Sequence, residues 1–141
     1  MTVKKFSPLT LRKFQRKQKL LDRVLKELEE SGKPILVEGK RDKAALERIG
    51  VENRVFLINL TPDELCKRVS KVADEAVILT DFDEAGEKLC NRVKEALYSY
   101  NVLPNTEVRR KLRYLLGVYN FEEIDRKMEE FKKRVEGDTN G

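Results

Sequence analysis

"AVILTDFDEAGEKL", residues 76–89, is the stretch on which the fold turns. Val77 to Thr80 form a short, mostly apolar run in which Val77, Ile78 and Thr80 are β-branched, the composition of a buried strand. Asp81 and Asp83 follow at once, then Glu84 and Gly86. Leu89, Val93, Ala96, Leu97 and Tyr100 then recur at helical spacing. The segment reads strand, acidic turn, helix. Asp83 stands where a helix N-cap belongs, so at this point it is either a cap for the helix that begins at Glu84 or a ligand for a cation.

The same alternation extends in both directions. "PILVEGK" (34–40) is a short strand ending in Glu38, and "KRDKAALERIG" (40–50) is a helix closed by Gly50. "RVFLINL" (54–60) is a continuous apolar run, expected of a strand buried on both faces. Thr61, Pro62 and Glu64 start the next helix as cap, first position and capping-box acid. "VLPNTE" (102–107) is a loop or a short fourth strand. The β-α-β-α-β-α order with short connections predicts an α/β fold: a parallel sheet of three or four strands with helices on its faces. In such sheets the ligand lies beyond the carboxyl ends of the strands, which is where Glu38 and Asp81 stand.

Helices flank this core. Ser7 and Pro8 begin an amphipathic helix whose inner face is Phe14, Leu21, Leu25 and Leu28. From Lys4 to Lys26 the chain carries nine basic residues, Lys4, Lys5, Arg12, Lys13, Arg16, Lys17, Lys19, Arg23 and Lys26, against one acid, Asp22, which gives the helix a basic outer face in its first half. "VRRKLRYLLG" (108–117) reads as a helix with Leu112, Leu115 and Leu116 inward and its basic residues mostly outward. Asn120 is expected to cap a final helix carrying Ile124, Met128, Phe131 and Val135 on one stripe. The organisation expected is a basic N-terminal helix (1–32), an α/β core (33–102), a helical extension (103–136) and a frayed tail (137–141).

Composition narrows the chemistry. The 141 residues include no His and two Cys, 24 positions apart, which excludes His-based catalysis and zinc-ligand spacing and leaves Cys66 and Cys90 as buried, reduced thiols. No run of 18 apolar residues and no signal-peptide pattern occurs, so a cytoplasmic protein with no membrane partner is expected. Charged residues make up 39% and the net charge is +5, a balance that permits nucleic-acid binding without requiring it. High Lys and Glu content with few Gln points toward a thermophile.

Glu38, Asp81 and Asp83 at one rim would repel one another unless a cation neutralised them. All their donors are oxygens, which selects a hard divalent ion: Mg²⁺, with Mn²⁺ as a substitute. Glu38 is then a third ligand or the acid/base for a proton in the reaction.

"ILVEGKRD" (35–42) and "VILTDFDEAGEKL" (77–89) resemble the two signature motifs of the TOPRIM domain. That domain is shared by topoisomerases of types IA and II, bacterial-type primases, OLD-family nucleases, recombination proteins and 5S ribosomal RNA maturases. The strand ending in Glu-Gly is matched by Glu38 and Gly39, and Asp-x-Asp-x-x-Gly by Asp81, Asp83 and Gly86. The wording of both motifs is most similar to the maturase-like and small primase-like members. The resemblance implies a three-layer, Rossmann-like parallel sheet, Glu38 as general acid/base, and Mg²⁺ held by Asp81 and Asp83. Some members carry a third Asp two residues after the pair; Ala85 stands there, so a second metal is not implied. Nor is topoisomerase or complete primase activity, for which no second domain or zinc module is present in these residues.

The expected function is Mg²⁺-dependent chemistry on the phosphodiesters of RNA or DNA, by hydrolysis or nucleotidyl transfer. The alternative is a non-catalytic RNA- or DNA-binding module of a larger processing complex. Lys40 and Arg41 beside Glu38, and Arg109 and Arg110 further on, are the candidate phosphate contacts, with solvated surface as the competing role. Phe82, between the aspartates, is expected to turn into the core. A phosphatase of the haloacid-dehalogenase type also uses Asp-x-Asp after a strand. There the pair ends the first strand and Gly-Thr follows, whereas Glu-Ala follows here on the third.

Overall fold

Ser7 and Pro8 do start the first helix. In the computed structural model, which describes the backbone of residues 6–140 and the side chains of 6–136, α1 spans Pro8–Ser31. The Ser7 hydroxyl accepts the Thr10 N–H at 3.2 Å, and Gly32 ends the helix with φ 63°, a conformation natural to glycine. Leu21, Val24 and Leu28 are buried. Lys4 and Lys5 of the basic stretch lie outside the described residues.

The middle of the chain alternates as its sequence predicts: β1 (Ile35–Val37), α2 (Lys40–Arg48), β2 (Val55–Leu57), α3 (Pro62–Ser70), β3 (Glu75–Leu79), α4 (Glu84–Ser99) and β4 (Leu103–Asn105). Then come α5 (Glu107–Leu116), a single 3-10 turn (Phe121–Glu123) and α6 (Ile124–Asn140). All strand pairs are parallel, in the order β2-β1-β3-β4. Val37 pairs with Leu79, so the chain leaves β1 and β3 at the same height.

Alternation along the strands builds two cores. Ile35, Val37, Val77 and Leu79 face one way and pack with residues of α1, α2, α5 and α6. Leu36, Ala76 and Ile78 face the other way, against α3 and α4. The result is a three-layer α/β fold whose central strands are sealed on both faces. Truncating a fully buried leucine such as Leu36 or Leu79 to alanine would cost about 2–5 kcal/mol.

Two expectations are corrected. β2 is half-buried rather than sealed, because the strand order leaves it at the sheet edge, paired to β1 alone. Asn120 makes no side-chain cap; the chain enters α6 through the 3-10 turn instead. The buried stripe of Ile124, Met128, Phe131 and Val135 on α6 is as predicted. Its backbone remains helical to Asn140; the side chains of the expected tail lie outside the described residues.

Candidate functional site

The β1–β3 register brings the ends of these strands together. Glu38 leaves β1 and Asp81 follows β3, and Glu38 Oε2 accepts the Asp81 N–H at 2.6 Å. Glu38 and Asp81 are half-buried and Asp83 is exposed. Asp83 Oδ1 accepts the Gly86 N–H at 2.7 Å, so this side chain caps α4, while its second oxygen accepts no hydrogen bond among the described residues. Among the described residues, none of these three carboxylates forms an ion pair. Nor do any three acidic or thiol side chains gather closely enough to hold a metal ion as they stand.

A third wall comes from the far end of the chain. The turn after α5 lies against the rim, where the Phe121 N–H donates to Asp81 Oδ1 at 2.9 Å and the Phe82 N–H to the Tyr119 carbonyl at 2.9 Å. Asp42, in the first turn of α2, is 6% exposed, and its Oδ2 accepts the Gly39 N–H at 2.9 Å, which ties down the β1–α2 turn. These acids crowd one another. Burial raises the Asp81 carboxyl to about 6; Glu38, Asp83 and Glu122 push the same way, against the pull of the Phe121 N–H. Asp42 is also raised, first by burial and then by Asp81. The Thr80 hydroxyl, directly before Asp81, is fully buried with no hydrogen-bond partner among the described residues.

Arg109 holds the loop from behind. It is 7% exposed, with Nε donating to the Thr80 carbonyl at 2.8 Å and Nη2 to the Asp81 carbonyl at 2.6 Å and to Glu87 Oε1 at 2.7 Å. Its guanidinium also lies 4.0 Å from the centre of the Phe82 ring. The expectation of an outward Arg109 is therefore overturned: the side chain is buried, and three of its five N–H donors go to the Thr80 and Asp81 carbonyls and Glu87. Its spacing carried the signal, because Arg109, Leu112 and Leu116 share one helical stripe. Phe82 packs against the first core, with its ring centre 6.0 Å from that of Phe121. Gly86 is a steric necessity. A Cβ there would sit 2.1 Å from the Asp81 carbonyl oxygen.

The other basic candidates are on the surface. Lys40 and Arg41 are exposed at the start of α2, next to Glu38, with no ion pair among the described residues. Arg110 is exposed and bonds Glu107 within α5 at 2.6 Å. Sequence reasoning passed over Asp42, although its place three residues after Gly39 is the capping-box position. It had no signal for Tyr119, Phe121 or Glu122, which reach the rim only through packing.

A family model of the Toprim domain matches residues 32–109. A UPF0292 protein of Methanocaldococcus jannaschii is 40% identical over 102 residues, covering 67% of this chain and 77% of that one. A UPF0292 protein of Thermococcus sibiricus is 34% identical, with 67% and 75% covered. A solved structure of an Aquifex aeolicus protein superposes with a TM-score of 0.65 at 28% identity, over 73% of this chain and 96% of that one.

Proposed function

The chain belongs to the Toprim domain family, and on that premise we propose that it uses a divalent cation, Mg²⁺ or Mn²⁺, to act on the phosphodiester backbone of RNA or DNA. One observation carries the reading. Glu38 and Asp81, from two neighbouring strands, are joined at the rim by the 2.6 Å bond from the Asp81 N–H, with Asp83 beside them and no cation paired to any of the three among the described residues.

The donor set fits a small hard ion. Every available donor is an oxygen, and Mg²⁺ takes one or two carboxylates with water and phosphate completing its shell. Asp81 and Asp83 would hold it, each through the oxygen not engaged by a backbone N–H. The buried Thr80 hydroxyl, one residue before Asp81, is a further oxygen with no partner among the described residues. When bound, the ion would neutralise charge on the phosphoryl group and make water a better nucleophile. Glu38 keeps one oxygen on the Asp81 N–H and has the other free to take or deliver a proton. Arg109 fixes the carbonyls of Thr80 and Asp81 and so the aim of the aspartate loop. Lys40 and Arg41 provide unpaired positive charge beside Glu38 for the strand's phosphates.

The test is cleavage of end-labelled RNA and DNA with Mg²⁺ or with chelator, by the parent and by the Asp81→Asn, Asp83→Asn double variant. Asparagine keeps both backbone-accepting oxygens, so the fold persists while the charge is removed. Metal-dependent cleavage lost in the variant is the result expected. Binding by both proteins with cleavage by neither would leave the binding-module reading in its place.

A further inference from the structure

Tyr119 offers an aromatic face at the same rim. The residue is 43% exposed, yet its backbone is locked to the aspartate loop, its carbonyl accepting the Phe82 N–H at 2.9 Å. Two residues later the Phe121 N–H holds Asp81 Oδ1. The ring therefore rides on a turn bonded directly to both Asp81 and Phe82. Beside it, the Arg113 guanidinium lies 5.2 Å from the centre of the Tyr119 ring and 4.7 Å from that of Phe82. Arg113 is exposed, donates only a long bond to the Val118 carbonyl at 3.4 Å, and has no acidic partner among the described residues.

An exposed tyrosine with a guanidinium over its ring that has no acidic partner among the described residues, beside a cluster of carboxylates, matches the chemistry of a flat nucleobase joined to a phosphate. We infer that Tyr119 stacks an unpaired base of the substrate and that Arg113 contacts the adjoining phosphate, which makes the substrate single-stranded at the reacting position. This rests on the reading of the site as one that acts on nucleic acid. A base held within a duplex offers no free face, so the geometry selects a loop, an overhang or an open strand.

The experiment is fluorescence anisotropy with a labelled single-stranded oligonucleotide, the same strand made abasic over its central positions, and the corresponding duplex. Parent, Tyr119→Ala, Tyr119→Phe and Arg113→Ala are compared after their thermal unfolding has been measured. Stacking of one base predicts that Tyr119→Ala binds the single strand about tenfold more weakly. Tyr119→Phe should bind as the parent does. The parent should bind the abasic strand about as poorly as Tyr119→Ala binds the intact one. Arg113→Ala should weaken both strands and flatten the salt dependence. Equal affinity of the parent for intact and abasic strands overturns the inference without recourse to any variant. So does a Tyr119→Ala that folds and binds as the parent does, or that loses affinity equally for both strands. If the parent cleaves or binds nucleic acid but ignores its bases, the stacking role falls alone. If it neither binds nor cleaves, the proposed function falls and takes the stacking role with it.

Discussion

Replacing Gly86 by alanine separates a steric argument from a propensity argument, because the two predict opposite signs. Gly86 lies in the first turn of α4 with an ordinary φ, so alanine meets no backbone strain there. On helix propensity alone, Gly86→Ala would stabilise the protein by about 0.5–1 kcal/mol. The surroundings say otherwise. The added Cβ would stand 2.1 Å from the Asp81 carbonyl oxygen, 2.6 Å from its carbon and 2.9 Å from Asp83 Oδ1. None of these is the loose end of a long side chain. Moving the Asp81 carbonyl strains its 2.6 Å bond from Arg109, and moving Asp83 weakens the α4 cap. Overpacking costs about 1–3 kcal/mol and a weakened cap about 1 kcal/mol. Set against the propensity gain, the net is a loss of about 1–3 kcal/mol. Urea unfolding followed by circular dichroism would read it as a lowered midpoint with an unchanged slope. Gly39→Ala is the control, since a Cβ there meets only Asp42 Oδ2 at 3.9 Å, and its change should be the smaller of the two. A Gly86→Ala variant as stable as the parent, or more so, would refute the reasoning and with it the claim that the aspartate loop is clamped against α4.

Other perturbations follow from the same geometry. Arg109→Met should destabilise by about 2–4 kcal/mol in the same urea assay, because it leaves the buried Thr80 carbonyl without its charged donor, and Arg109→Lys should recover only part of the loss. Asp81 is raised from 3.8 to about 6, so between about pH 3.8 and about pH 6 it holds a proton in the folded chain that the unfolded chain has released. Its contribution to stability is therefore present in full below about 3.8 and is lost as pH rises through about 6; Asp81→Asn should remove that slope, and urea midpoints across the window that do not differ between the two proteins would count against it. Divalent-ion binding, followed by calorimetry, should weaken below about pH 6 as Asp81 takes up its proton. Cys66 and Cys90 are buried and burial pushes the Cys66 thiol up to about 11, so an aromatic disulfide reagent at pH 8 should label neither until denaturant is added.

The sequence by itself determined the elements and the faces they bury. The apolar runs at 35–37 and 76–79, the caps at Ser7 and Thr61 and the left-handed Gly32 are short-range physics, settled within a turn or a strand of chain. The meeting of Glu38 and Asp81 at one rim followed too, since each acid lies within two residues of a strand's end and parallel strands present their carboxyl ends together. What lay beyond reach was everything that depends on which distant surfaces meet. β2 became an edge strand because β1 pairs with β3 on its other side, a choice that no local pattern carries. Arg109 turned inward because two strand-end carbonyls and Glu87 await it, though its place on the Leu112 and Leu116 stripe hinted at burial. Asp81 gained its third wall from Phe121, 40 residues away, and Tyr119 came to the rim with it. Hydrophobic spacing tells a helix which side to bury; only the packed core, with each buried donor and acceptor needing its partner, decides which loop closes over the acids.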